Sequence, residues 1–159
     1  MFLTVHATAG ALVGGWTGNP LIAFALGLIS HAILDIIPHG DEHIAPECAG
    51  PTCSHREEIR FLLRLAIIDA IVMSGVLAAV LYPWIPLPSN AVLAGIFGSV
   101  LPDLIQGFAT LFPKRRTLVR LKRLHDYFHC EIIRYESPVI VGMSTQVVTL
   151  ALLLFVTFV

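Results

Sequence analysis

The sequence predicts an all-α fold: a polytopic membrane bundle of about five hydrophobic helices with one amphipathic helix lying at the cytoplasmic surface. Two features of composition point there. Of 159 residues, 56% are hydrophobic and 13% are charged, about half the charge of an ordinary soluble domain. Mean hydropathy is +0.81. A third feature is arrangement, because the apolar residues fall into runs close to the ~20 residues a membrane helix needs. One domain spanning 1–159 accommodates them all.

The first expected helix, 2–16, is short and carries ATAGALVGG, a composition suited to close packing between helices. TGNP then reads as a tight turn. The second helix, 20–37, stops at Pro38. The third, 60–82, includes LAIIDAIVMSGVLAAVLY, and the fourth, 91–112, is interrupted by Pro102 and Asp103. The last is 137–158. Between the fourth and the last lies KRRTLVRLKRLHDYFHCEIIRYE. Its Leu118, Leu121, Phe128 and Ile132 share one helical face, which predicts an interfacial amphipathic helix over 115–134.

The charges orient the bundle. Three of the ten lysines and arginines lie at 56–64 and seven at 114–134. Two spans separate the clusters, so both flank one face, and the positive-inside rule makes that face cytoplasmic. The expected N-terminus is inside and the C-terminus outside, in a prokaryotic cytoplasmic membrane. No basic n-region or Ala-x-Ala site leads the chain, so a cleaved signal peptide is not expected. The three cysteines are too few for a disulfide framework. Nucleic-acid binding is not expected, since the basic segment is short, amphipathic and membrane-adjacent.

Metal-ligand residues collect on the same side. SHAILDIIPHGDEH supplies His31 and Asp35, four apart and therefore on one helical face, followed beyond Pro38 by His39 and Asp41. His6 lies near the start of the first helix, Asp69 in the cytoplasmic half of the third, and Asp103 after Pro102. His125 and His129, again four apart, project from the amphipathic segment. An aspartate near mid-membrane costs about 2.5–3.5 kcal/mol on insertion scales unless it is paired or faces a polar cavity. A divalent cation neutralises several such groups together, with neutral imidazoles completing its shell. The expected ligands are His6, His31, Asp35, His39, Asp103, His125 and His129. Without thiolates in this set, zinc is the first candidate and manganese the second, as one or two ions. Glu42 and His43 read as loop residues. His43, Cys48, Cys53 and His55 form a separate constellation able to make a small structural zinc site, although C-x4-C is looser than the usual C-x2-C spacing.

LTVHATAGALVGG, SHAILDIIPHGD, LPD and LHDYFH form an ordered series of short motifs over most of the chain. That series resembles the membrane-bound metal-dependent hydrolases, the YdjM-like small inner-membrane proteins. Where many members have Pro-Asp-x-Asp-His, this chain has LPDLIQ with one carboxylate. The resemblance implies a multi-helical membrane protein with a metal site built from such His and Asp residues, and a hydrolytic reaction. In that reading a metal-activated water attacks a lipid or other phosphoester. Asp69 or Asp41 accepts its proton, and membrane lipids are the immediate partners. The alternatives are a metal-ion or proton-translocating protein, and a non-catalytic membrane protein with a structural metal.

Overall fold

The computed structural model describes residues 1–39, 55–81, 89–127 and 138–158. They form six helices: α1 (Leu3–Thr17), α2 (Pro20–Leu34), α3 (His55–Leu81), α4 (Asn90–Leu111), α5 (Arg116–Asp126) and α6 (Val139–Phe158).

Local chemistry sets the boundaries. Gly18, at φ 61°, takes the left-handed conformation that ends α1. Asn19 then accepts from the Leu21 and Ile22 amides, and Pro20 starts α2 at a position where its missing N–H costs nothing. TGNP is thus a C-cap followed directly by an N-cap. Helix α2 closes at Leu34, three residues before the expected end. Ile36 and Ile37 donate to Ile33 and Leu34, a tightened last turn that exhausts the helix before Pro38. Helix α3 starts at His55, five residues earlier than expected, because its charged first turn is as good a helix former as the apolar run behind it. Ser89 caps α4 through the Val92 amide. Of the expected amphipathic helix, α5 accounts for 116–126, and 128–134 lie outside the described residues.

Among the described residues, α3, α4 and α6 are long and apolar enough to cross a membrane, and the other two of the expected hydrophobic helices, α1 and α2, are shorter. Helices α1 and α2 have 15 residues each, a length of about 22 Å against a hydrocarbon thickness of about 30 Å. They make a short hairpin whose two ends return to the same side.

The core is the contact of α1, α2 and α4, with α3 and α6 laid on α1 and α5 laid on α4. Its defining property is backbone proximity. A Cβ on Gly10 would overlap the Gly95 carbonyl and the Ser99 hydroxyl, one on Gly27 the Gly95 carbonyl, and one on Gly98 the Phe24 carbonyl. At Gly14 it would lie 2.5 Å from the Val92 Cα. No larger residue permits these approaches. Around the core, Met1, Val5, Ala9 and Leu34 pack with Ile37, Leu150 and Leu153 of α6.

Overpacking at such contacts costs about 1–3 kcal/mol. Gly95→Ala is therefore expected to lower the thermal midpoint of detergent-purified protein. Gly75→Ala and Gly107→Ala, at positions with nothing within 4 Å, should be neutral or stabilising by up to ~1 kcal/mol through helix propensity. Equal midpoints for all three variants would refute the close-contact core.

Candidate metal centre

The same three helices carry the polar cluster. On α1, Gly14, Gly10 and His6 succeed one another at intervals of four. On α2 the series is Gly27, His31 and Asp35, and on α4 it is Gly95, Ser99 and Asp103. Each series follows one helical face, so the faces that meet at glycines continue directly into His6, His31, Asp35 and Asp103. Helix α5 adds His125.

The geometry is tight. His6 Nε2 lies 3.2 Å from Asp35 Oδ1 and 3.8 Å from Asp103 Oδ2. His31 Nε2 lies 3.0 Å from Asp35 Oδ2 and 3.8 Å from Asp103 Oδ1. His125 Nε2 is 3.2 Å from His31 Nε2, 3.6 Å from Asp35 Oδ2 and 3.7 Å from Asp103 Oδ1. The His6 and His31 rings stack with centroids 4.0 Å apart. His6 is fully buried and His31 and Asp35 nearly so, while the Asp103 side chain keeps 19% of its exposure. Donor atoms of His6, His31 and Asp35, and of His31, Asp103 and His125, all lie within 4.8 Å of one another.

Three observations of this cluster fit a divalent cation. Two ligands on a tetrahedral ion with bonds of about 2.0–2.1 Å are about 3.3 Å apart, and the separations above bracket that value. His31 Nδ1 lies 2.8 Å from the Ser99 carbonyl oxygen, which only accepts, so the proton sits on Nδ1 and the Nε2 lone pair faces the cluster. Buried His6 Nδ1 has no hydrogen-bond partner among the described residues, and Nε2 turns toward the Asp35 carboxylate at 3.2 Å. A buried imidazole with an unsatisfied nitrogen is costly unless something else takes its lone pair.

The backbone supports a positive charge at the same place. Asp35 caps the C-terminus of α2, so the negative end of that helix lies beside the cluster. Pro102 has no N–H to give to the carbonyl four residues back and crowds that turn. The neighbouring Ser99 carbonyl is the one that holds His31. The Met1 amino group also donates to Asp35 Oδ1 at 3.1 Å.

Other expected site residues are placed elsewhere. Asp69 does not join the cluster. Its carboxylate accepts from the Leu3 amide (2.6 Å), the Thr4 amide (3.3 Å) and the Thr4 hydroxyl (2.5 Å), so it caps the N-terminus of α1 from α3. His39 is buried, but Nδ1 donates to the Ile37 carbonyl at 2.7 Å and the residue belongs to neither ligand group. Asp41, His129, His43, Cys48 and Cys53 lie outside the described residues, and of His55 only its place at the start of α3 is described.

Two residues of α6 support this end of the bundle, Gln146, legible in the sequence as a polar group about nine residues into the last helix, and Thr145, which was not. Gln146 of α6 accepts from the Phe2 amide at 2.8 Å and donates to the His39 carbonyl at 2.9 Å. Thr145 donates to the Pro38 carbonyl. Together they tie the start of α1 to the segment after α2. The available signal was a glutamine well inside an apolar helix, where an unsatisfied amide is expensive. Ser99 contributes a backbone carbonyl, which no side-chain pattern reveals.

A cap and a ligand separate experimentally. Asp69→Ala should cost about 1–2 kcal/mol of stability yet leave metal stoichiometry unchanged, whereas Asp35→Ala should abolish metal binding. Loss of metal from Asp69→Ala protein of normal helical content would place Asp69 in the centre after all. No protein-family model, curated protein or solved structure matches this chain.

Proposed function

We propose that the protein is a metal-dependent membrane hydrolase whose centre is built from His6, His31, Asp35, Asp103 and His125. The observation that carries this reading is the buried trio His6–His31–Asp35, with its central tautomer set by Ser99. Two imidazoles and a carboxylate occupy three positions of a four-coordinate ion, and a catalytic centre keeps the fourth open. Zinc suits this donor set, with manganese next. His125 and Asp103 approach the same His31 Nε2 and are the groups available to complete the shell or hold a second ion.

When bound, the ion supplies Lewis acidity and a nucleophilic water at neutral pH. The protein's own residues do the rest. Asp103 is the most exposed member of the cluster, which suits its carboxylate to hold or pass on a proton. Asp41 remains a second candidate for this role. Asp69 keeps a structural part, holding the first turn of α1 so that His6 stays in place. The exposed side of the centre lies toward α5, beside a basic segment, and this favours a lipid or other phosphoester as substrate. We place this end of the bundle on the cytoplasmic side. A re-entrant α1–α2 hairpin and a pair of full spans both put the two basic clusters on one face.

A conduction pathway finds less support. From the cluster toward the hairpin tip, the buried polar side chains described are Thr8 and Ser99. Each hydroxyl donates within its own helix, to the Thr4 and Ile96 carbonyls. Neither offers a relay.

Elemental analysis of detergent-purified protein is expected to find about one or two equivalents of transition metal in the wild type, and less than about a tenth in His31→Ala and Asp35→Ala. Chelation should remove hydrolysis of phosphoesters presented in mixed micelles, and zinc or manganese should restore it. Metal-free wild type ends the metalloenzyme reading. Bound metal without turnover favours a structural role, and metal or proton flux in liposomes favours transport.

A further inference from the structure

A second site lies where α4 turns into α5. Phe108, Phe112 and Leu118 line the apolar part of a cleft of about 620 Å³, and Lys114, Arg115, Arg116 and Thr117 line the rest. The three cations are solvent-exposed, and none has an ion-pair partner among the described residues. Farther along α5, by contrast, Lys122 is paired with Asp126 at 2.7 Å. Three like charges lining one cleft repel one another, and an anion relieves that repulsion. Arginine forks match phosphate oxygens in pairs, and the Thr117 hydroxyl adds a neutral donor.

The apolar half decides between anions. Phe108 and Phe112 are both more than half exposed and sit at the end of a helix long and apolar enough to cross a membrane. A free phosphate has no use for such a floor, whereas the glycerol and upper acyl carbons of a phospholipid bury it. We propose that this cleft binds the headgroup phosphate of an anionic phospholipid, as a site separate from the His/Asp cluster.

The two sites share their helices. Leu118 and His125 are seven residues apart on α5, about 10 Å along its axis. Phe112 and Asp103 stand about 13 Å apart along α4 on the same measure. A phosphate in the cleft is thus held beside the cluster rather than in it, so the lipid it belongs to is not the phosphoester that the centre would cut. The cleft proposal therefore stands apart from the hydrolase reading.

The test uses the full chain in micelles of mixed dioleoylphosphatidylglycerol and dioleoylphosphatidylcholine, with retained lipid quantified by mass spectrometry. Wild-type protein is expected to retain phosphatidylglycerol at least about tenfold over phosphatidylcholine, as three nearby cations suffice to give. The triple variant Lys114→Gln/Arg115→Gln/Arg116→Gln should lose that preference. Arg120→Gln/Arg123→Gln, which removes charge from the same helix outside the cleft, should keep it. Phe112→Ser should weaken retention with all charges in place.

Equal preference in the triple variant overturns the proposal. So does an equal loss in the Arg120/Arg123 control, which would mean diffuse surface charge, or displacement of lipid by millimolar inorganic phosphate. If the triple variant loses its helical spectrum, Arg116→Gln and Leu118→Asp read the same preference singly. Chelation should leave lipid retention unchanged while stopping hydrolysis, so failure of the cleft and failure of the metalloenzyme reading give different results.

Discussion

The structure depends on three helix backbones coming close enough to touch. Glycines at 10, 14, 27, 95 and 98 allow it, and in a lipid environment such packing replaces the hydrophobic force that joins helices in water. Its consequence is register. Because the contact faces advance in steps of four, the position of Gly10 against Gly95 also fixes where His6, His31 and Asp103 stand. The ligand-type residues meet because the residues one or two turns away have no side chains to hold the helices apart. A centre built this way is rigid, which lets imidazoles and carboxylates be held at 3.0–3.8 Å from one another.

That precision is opposed by electrostatics. Two carboxylates in a largely buried pocket destabilise a bundle unless positive charge or hydrogen bonds compensate them. Three imidazoles and the Met1 amino group arrange compensation from several directions, and a divalent cation would complete it. The opposite requirement holds at the start of α1, whose free amides favour negative charge. Asp69 meets it from α3. Asp69 thus meets the need of a helix start, whereas Asp35, at the negative end of α2, is held by the imidazoles and the Met1 amino group around it.

The sequence made much of this legible, and its failures have physical causes. Apolar runs located the helices because lipid admits no other way to satisfy a backbone. The spacing of His31 and Asp35 showed that they share a face. The role of Asp69 was not legible, because an aspartate that caps a distant helix and one that serves a metal look alike within an apolar run. The turn at TGNP was legible because Gly and Pro punctuate an apolar stretch, but the early end of α2 was not, since its last turn tightens before Pro38 and leaves 15 helical residues. The series of four on α1, α2 and α4 was present in the sequence. It becomes meaningful only once the three faces are known to be opposed.

The short hairpin bears on how a substrate would reach the centre. Trp16, at its tip, is 69% exposed, and tryptophan favours the headgroup level of a bilayer. From that level, α1 extends about 20 Å back to its first turn, roughly two thirds of the hydrocarbon. In the orientation proposed above, a centre beside that turn would lie below the opposite headgroups, nearer the glycerol region than open water. Helix α5 borders it, carrying arginines that belong at the surface and a histidine that reaches Asp103. A lipid would gain access to such a place by lateral movement along the face of α4. A water-soluble ester would have to leave its hydration behind to arrive at the same point, and this asymmetry favours a substrate that already resides in the membrane.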